Sequence, residues 1–215
     1  MANMQQDIVH DKRYLESFKD VTIYGVAGTN GSGKDSLMDI LVSYGFLQYH
    51  TSDGLRQIAH AVFQSTKRGG NEAPMGIVGN AFRTVYPGGL VELGLLDWFL
   101  RVDVLPEELR PRGLVIGSIR GTGEVERLKA IGGKLIVVDA DPHVRYERLK
   151  NRGRADDDIT FEEFQQHEAA EMAKGQTDPT KFGMASVIDS ADIRMTNDQN
   201  DLVVFRRQVI DTLSL

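Results

Sequence analysis

Residues 28–36 read GTNGSGKDS and come directly after the apolar run VTIYGVA of residues 21–27. A buried strand, a glycine-rich turn and a lysine at the start of a helix form a loop whose backbone N–H groups surround phosphate oxygens. Gly28, Gly33 and Lys34 stand where the pattern G-x-x-x-x-G-K requires them, and a plain glycine turn would not explain the lysine. The stretch therefore predicts a nucleotide site formed by Gly28, Asn30, Gly31, Ser32, Gly33, Lys34, Asp35 and Ser36.

The residue after the lysine departs from the common form of this loop. Asp35 stands where a Ser or Thr hydroxyl usually holds Mg²⁺, and Ser36 comes one position later. Mg²⁺ keeps much of its water shell and takes few protein ligands, so a carboxylate can replace the hydroxyl. The loop resembles those of small-molecule P-loop kinases, some of which carry aspartate here. That resemblance implies ATP and Mg²⁺ as cofactors, with Asp35 and Ser36 holding the metal.

Short apolar runs alternate with helical patterns along the chain, which is typical of parallel strands joined by crossover helices. We expect strands at residues 21–27, 46–50, 114–118, 134–140 and 191–196. Helix signals include Asp141 followed by Pro142, Thr160 with Glu163, and an apolar face on the last helix formed by Leu202, Phe205, Val209 and Leu213. These features predict an α/β fold with a doubly wound, parallel, five-stranded sheet and flanking helices, of the nucleotide-kinase type.

The domain organisation follows from where this alternation is interrupted. Residues 1–215 form a single predicted domain, with an N-terminal extension at 1–20. Residues 53–112 are expected to bind the acceptor, and their part from 66 onward is rich in Gly and Pro. Residues 152–180 are polar and charged and are expected to form a lid.

The composition excludes several classes of function. The chain has no cysteine, which rules out disulfides, thiolate metal sites and cysteine nucleophiles. A balance of 25 basic against 31 acidic residues argues against nucleic acid as a partner. No apolar run is long enough to span a membrane, and the N-terminus carries no signal-like apolar region. We therefore expect a cytoplasmic protein that binds a small molecule; its oligomeric state stays open.

The segment YHTSDGLRQIAH (49–60) follows the second strand and is expected to meet the acceptor. Thr51 and Arg56 resemble the Thr-Gly-Asp-x-x-Arg stretch of adenylate kinases, whose arginine binds the acceptor phosphate. Asp53, with the Ile-Ala-His run that follows, resembles dephospho-CoA kinases equally well. A phosphate acceptor needs cations, whereas a hydroxyl acceptor needs a carboxylate base. Both acceptors stay open, and so does the alternative that Asp53 only caps a helix.

The end of the third strand offers one further acceptor residue. Arg120 resembles the arginine that contacts the acceptor phosphate in nucleoside monophosphate kinases. Gly117 and Ser118 stand where those enzymes place an aspartate near Mg²⁺. Magnesium binding is therefore expected to depend on Asp35, Ser36 and, as a further candidate, Asp53. Arg83 is interpreted as a surface arginine.

The donor side is predicted from the last third of the chain. Arg148 and Arg152 are four residues apart on one helix face and resemble the paired lid arginines of adenylate kinases and dephospho-CoA kinases. Such cations would stabilise the transferred phosphoryl group. The run Asp156–Asp158 is interpreted as solvated lid surface. Asn197 resembles a residue near the adenine in dephospho-CoA kinases.

Residues 21–213 as a whole resemble an uncharacterised P-loop kinase group known mainly from archaea. The resemblance rests on GEVERLK (123–129), RYERLKNRGRADD (145–157) and TFEEF (160–164). The resemblance implies the fold of a P-loop kinase and names no acceptor. From the acceptor-side residues above, a nucleoside or deoxynucleoside monophosphate is the first-choice acceptor. Dephospho-CoA, phosphorylated on a ribose hydroxyl, is the alternative acceptor. A regulatory nucleotide-binding protein with little turnover is the rival from another class.

Overall fold

One parallel sheet lies at the centre of the computed structural model, which describes residues 12–66, 73–102, 104–153, 157–173 and 183–215. Its strands lie in the order β2–β3–β1–β4–β5. They are β1 (Thr22–Gly28), β2 (Phe46–His50), β3 (Gly113–Gly117), β4 (Lys134–Asp139) and β5 (Ile193–Thr196). Every strand boundary lies within two residues of the predicted one, so the doubly wound, five-stranded fold is confirmed.

Helices follow the strands and cover both faces of the sheet. They are α1 (Lys12–Glu16), α2 (Lys34–Ser43), α3 (Thr51–Phe63), α4 (Pro74–Val85), α5 (Gly89–Val102), α6 (Thr122–Ala130), α7 (Pro142–Arg152), α8 (Phe161–Ala173), α9 (Met184–Asp189) and α10 (Leu202–Leu213). None of the helices in these described ranges is long and apolar enough to cross a membrane.

Strand side chains alternate between two apolar cores, as the two-residue period of a strand requires. In β4, Leu135 and Val137 enter a core shared with α5, α6 and α9. Ile136 and Val138 enter the opposite core, which is shared with α2 and α10. Burial on both faces explains why the central strands are continuous apolar runs in the sequence.

The sequence signals for helix ends are mostly confirmed. The Asp141 carboxylate accepts a hydrogen bond from the His143 N–H at 2.8 Å and caps α7. Thr160 and Glu163 form the predicted reciprocal pair, with distances of 2.8 and 3.2 Å, ahead of α8.

The apolar face predicted for the last helix is wrong at one position. Leu202 is 62% exposed, because it lies in the first turn of α10, beyond the core.

The region expected to bind the acceptor forms a small helical layer beside the sheet. Helices α3, α4 and α5 share a separate apolar cluster of Leu55, Ala59, Val78 and Leu90. Trp98 of α5 is buried in the core that α5 shares with α6 and α9. Residues 67–72 and 103 of this region lie outside the described residues.

A buried polar cluster attaches the N-terminal extension to this layer. Glu92 of α5 is 4% exposed and accepts hydrogen bonds from Arg127 Nε at 2.5 Å, from Tyr86 at 3.4 Å and from the Tyr14 hydroxyl. Burial and the adjacent Glu92 carboxylate raise the pKa of Tyr14 well above its ordinary value. Residues 12–20 of the extension thus pack onto the domain, since Tyr14 and Phe18 also enter the core shared by α5, α6 and α9.

Replacing Glu92 with alanine is expected to destabilise the protein by about 3 kcal/mol, because it leaves the Arg127 guanidinium without its charged partner in a buried place. Urea unfolding followed by Trp98 fluorescence measures the free energy of unfolding. The matched control is Glu126→Ala, which removes an exposed glutamate of α6 and should change that energy by less than about 0.5 kcal/mol. Equal effects of the two substitutions would contradict a stabilising role for the cluster.

Candidate functional site

The predicted phosphate-binding loop joins β1 to α2 at the carboxyl edge of the sheet. Because the chain runs from β1 to strands on one side and later to strands on the other, this loop lies at the switch point where α/β folds bind ligands. Gly31 and Gly33 adopt left-handed conformations, with φ of 79° and 99°. A Cβ on Gly33 would lie 2.1 Å from Asn197 Nδ2, and one on Gly31 would lie 2.6 Å from the Arg145 carbonyl oxygen. Both positions therefore require glycine for conformation and for space.

Two carbonyl groups of the loop are held from outside. Gly31 O accepts from Arg148 Nη1 at 3.1 Å, and Ser32 O accepts from Asn197 Nδ2 at 2.9 Å. Within a trans peptide unit the C=O and the following N–H point in opposite directions, so the N–H groups of Ser32 and Gly33 point away from these contacts. The Ser32 hydroxyl is buried, and no hydrogen-bond partner for it is found among the described residues. The loop thus has N–H groups and a hydroxyl that suit a phosphate ligand.

Lys34 begins α2 and lies partly buried in the loop. Its Nζ donates to the Thr29 carbonyl at 3.0 Å. Burial first, and then the charge of Arg120, lower the pKa of the Lys34 amine to about 8; Arg152 acts in the same direction, and Asp35 and Glu171 oppose the shift. Two of the predicted arginines therefore each lie within electrostatic reach of the predicted lysine.

The two arginines near Lys34 are each paired with a carboxylate. Arg120 Nη1 lies 3.3 Å from Glu171 Oε1 on α8. Arg152 makes a two-pronged contact with Asp157, at 2.9 and 2.7 Å. Asp157 is only 8% exposed, so the interpretation of this acidic run as solvated surface is wrong for Asp157. It holds for Asp158, which is exposed, and Asp156 lies outside the described residues.

Arg148 does not share the surroundings of Arg152, and the joint action of the two on a phosphoryl group stays a prediction. Its guanidinium donates to the carbonyl groups of Gly31, Asn197 and Gln199 and to the Asn200 side chain, at 2.9–3.1 Å. All these acceptors lie in the phosphate loop or in the β5–α10 connection. The residue therefore joins two loops, because four oxygen acceptors satisfy its donors there.

Asn197 is also a bracing residue. It is buried, its side chain supports Ser32 O, and its N–H donates to the Asp139 carbonyl at 2.8 Å. A small cleft of about 150 Å³ lies beside it, lined by residues 196–199 of this connection and by Val204, Phe205 and Gln208. The predicted position of Asn197 near the adenine of a bound nucleotide stays a prediction.

Few protein groups are available for magnesium. Asp35 is exposed and Ser36 half-buried in the first turn of α2. Within the described ranges there is no group of three or more His, Cys, Asp or Glu side chains that could hold a metal ion. One carboxylate and one hydroxyl fit Mg²⁺, which is commonly bound by one or two protein oxygens together with phosphates and water.

A polar network that the sequence analysis missed connects the loop to α8. Thr29 Oγ1 donates to Asp139 Oδ1 at 3.1 Å, and Arg145 Nε lies 3.6 Å from the same oxygen. Arg145 is 4% exposed and also contacts the Glu168 carboxylate with both terminal nitrogens. An acidic residue at the end of β4, at the sheet edge used by the loop, was a signal that could have indicated Asp139.

The acceptor-side residues of α3 differ from the sequence predictions in two respects, the capping role of Asp53 and the exposure of Thr51. Helix α3 begins at Thr51 with His50 at its N-cap, so the interpretation of Asp53 as a cap is wrong. Asp53 is exposed, accepts from Arg56 Nη1 at 3.0 Å, and lines an open depression of about 710 Å³ with Arg56, Gln57, His60 and Thr66. Thr51 is buried and donates to Ser118 O at 3.1 Å, which leaves it unable to contact a substrate as predicted.

Arg83 is not a surface residue, and that interpretation is wrong. Its side chain is 2% exposed, and Nε lies 2.8 Å from Glu124 Oε1. Glu124 in turn accepts from the backbone N–H groups of Arg120 and Gly121, at 2.7 and 3.2 Å. Arg83 therefore supports the turn that carries Arg120.

The sheet order and the loop at its centre define the P-loop kinase fold. The chain superposes on a Thermus thermophilus protein with a TM-score of 0.56 (18% identity, 92% of this chain, 99% of the other). It superposes on shikimate kinase from Bacteroides thetaiotaomicron with a TM-score of 0.52 (14% identity, 90% and 99%). At such identities the similarity shows the fold alone.

The sequence is similar to archaeal UPF0200 proteins along most of its length. It is 27% identical over 200 residues to the UPF0200 protein of Pyrobaculum aerophilum, covering 88% of this chain and 95% of the relative. It is 28% identical over 179 residues to that of Sulfurisphaera tokodaii, covering 83% and 88%. No family model matches the chain. The predicted resemblance to an archaeal P-loop kinase group is thereby confirmed.

Proposed function

We propose that this protein is an ATP- and Mg²⁺-dependent phosphotransferase acting on a small nucleotide-like acceptor, first of all a nucleoside or deoxynucleoside monophosphate. The supporting observation is that Arg120 and Arg152 each lie within electrostatic reach of Lys34 in the phosphate loop. A protein that only binds a nucleotide needs the loop and its lysine. Two further guanidinium groups beside the lysine suit a reaction in which phosphoryl charge moves.

Each residue has a distinct task in this proposal. The N–H groups of the loop and Lys34 bind the ATP phosphates, and Arg148 with Asn197 keeps the loop in shape from outside. Asp35 and Ser36 would hold Mg²⁺, which when bound neutralises phosphate charge. Arg152, oriented by Asp157, stabilises the charge on the transferred group. Arg120, at the end of β3, is the candidate contact for an acceptor phosphate.

The acceptor class depends on two neighbouring residues of α3. Arg56 would bind an acceptor phosphate, which is already ionised near neutral pH and needs no base. The alternative acceptor is a ribose hydroxyl, as in dephospho-CoA. One observation supports this alternative: Asp53 caps no helix and lines the same open depression as Arg56, as a base for an acceptor hydroxyl would. The regulatory rival predicts no acceptor-dependent turnover.

The test is ADP release from Mg·ATP with a panel of acceptors. The panel contains each ribo- and deoxynucleoside monophosphate, dephospho-CoA and a control without acceptor. We expect strong stimulation by a monophosphate. Stimulation by dephospho-CoA alone would replace the first acceptor with the second. Turnover that no acceptor changes would contradict the proposal.

Asp53→Asn distinguishes the two acceptor classes independently. With a monophosphate acceptor we expect a loss of turnover below about tenfold, because no proton has to be removed from the nucleophile. A loss of hundreds-fold, about the size of a general-base contribution, would indicate a hydroxyl acceptor. The matched control is Asp97→Asn, which changes an aspartate of α5 that is paired with Arg101.

A further inference from the structure

Helix α8 carries two glutamates one turn apart that both contact the nucleotide site. Glu168 pairs with Arg145, and Glu171 pairs with Arg120. Residues three apart lie on the same side of a helix, so one face of α8 covers the site through two ion pairs. The two pairs differ in burial and in geometry, which gives them different tasks.

The contact of Glu168 is the fixed one. Its carboxylate receives both terminal nitrogens of Arg145, whose side chain is 5% exposed. Arg145 Nε also donates to the Ala140 carbonyl at 2.7 Å, and its guanidinium lies 5.5 Å from the centre of the Phe164 ring on α8. Separating this buried, two-pronged pair would leave charge without a partner inside the protein.

The contact of Glu171 is the weak one. A single bond of 3.3 Å joins it to Arg120, and the two side chains are 36% and 27% exposed. Exposed pairs of this kind are held only weakly. The backbone of Arg120 is fixed, since its N–H donates to Glu124 at 2.7 Å and its carbonyl accepts from Gly183 at 3.0 Å. Because the backbone of Arg120 is fixed, loss of this contact is taken up by Glu171 and by the last turn of α8 that carries it.

The position of Glu171 conflicts with phosphate binding. Its carboxylate pairs with a cation of the site and acts electrostatically on Lys34 as well. A triphosphate bound by the loop would place several negative charges beside these cations, and like charges in one site repel. The carboxylate and the phosphates therefore compete for the same partners.

We propose that Glu171 takes the place of a phosphate group in the nucleotide-free protein and leaves Arg120 when phosphate binds, while the Arg145–Glu168 pair keeps α8 attached. The contact is an internal competitor that lowers the affinity of the site for its ligand. With ATP as that ligand, this inference rests on the proposed function. The competition itself needs only an anion that binds the loop.

The test is the dissociation constant of ATP measured by calorimetry for the intact protein and for Glu171→Gln, each with and without Mg²⁺. We expect Glu171→Gln to bind ATP about fivefold more tightly under both conditions, which is a coupling of ordinary size. The matched control Glu162→Gln changes an exposed glutamate in the first turn of the same helix and should leave the affinity unchanged. Glu171→Asp, which keeps the charge on a shorter side chain, should lie between wild type and Glu171→Gln.

Several results would overturn the inference. Unchanged ATP affinity would show that there is no competition. If Glu171→Gln bound ATP more weakly only in the presence of Mg²⁺, Glu171 would be a metal ligand. If the variant turned over more slowly at unchanged ATP affinity, Glu171 would be a base for the acceptor. Inorganic tripolyphosphate, used as a second probe, separates this inference from the proposed function. If Glu171→Gln tightens tripolyphosphate binding although ATP does not bind, the proposed function fails and the inference stands. No binding of either probe by either protein overturns both.

Hydrogen exchange gives a readout that does not depend on affinity. In wild type, ATP should speed exchange in the last turn of α8, around Glu171, and leave the turn around Glu168 protected. In Glu171→Gln the last turn should exchange faster already without ATP. Equal protection of this turn in the two nucleotide-free proteins would contradict the proposed contact.

Discussion

Lys34→Ala is expected to lower acceptor-dependent ADP formation by about a thousandfold, which is the upper range for loss of one group that stabilises developing charge. Lys34 is the cation that the loop itself supplies, and it is partly buried, which lowers its pKa to about 8. In such a place a charge acts on a phosphate more strongly than it would in solvent. The measurement is kcat and KM from ADP release at saturating acceptor.

The same substitution should not destabilise the fold. Burial of the Lys34 amine disfavours its charged form, so removing it relieves a cost in the free protein. Urea unfolding should give a free energy at least equal to that of wild type. Lys129→Ala is the control. Lys129 is an exposed lysine in the last turn of α6 and is paired with Asp192. Retention of a tenth of the wild-type turnover by Lys34→Ala would contradict the proposed site.

The parts of the structure that could be predicted are those encoded by nearby residues. The apolar runs identify the strands because both faces of a central strand are buried. Glycine is required at Gly31 and Gly33 because the loop needs left-handed conformations there. The cap formed by Asp141 involves only the next three residues. In each case the physical cause lies within a few positions of the signal.

The parts that could not be predicted depend on partners far along the chain. Arg145 stands in a charged helix and has the pattern of a solvated residue, yet it is buried because Glu168 and the end of β4 surround it. Arg148 donates to the carbonyl of Gly31 in the loop, which lies 117 positions earlier in the sequence. Arg83 and Glu124 are 41 positions apart. A charge pattern does not indicate which charges find a partner, so burial of an arginine emerges only from the fold.

Arg152→Ala is expected to lower kcat by about a thousandfold, the lower end of the effect of an arginine that stabilises a transferred phosphoryl group. The KM for ATP should change little, because the loop and Lys34 still hold the nucleotide. Arg148→Ala should show the reverse pattern, a KM raised by about tenfold with a smaller change in kcat, since Arg148 braces the loop through Gly31. Steady-state kinetics of the two variants under identical conditions makes the comparison.

Loss of Arg152 also leaves the buried Asp157 carboxylate without its two-pronged contact, so a fall in turnover could come from weakened folding alone. The double variant Arg152→Ala/Asp157→Ala removes both partners and separates the two causes. It should recover most of the free energy of unfolding lost in Arg152→Ala and none of the lost kcat. If the double variant recovered both the free energy of unfolding and kcat, Arg152 would only stabilise the fold.

Unchanged ATP turnover in both Arg148→Ala and Arg152→Ala would contradict the kinase proposal and favour the regulatory rival. A protein that only binds nucleotide needs no cation on a moving phosphoryl group.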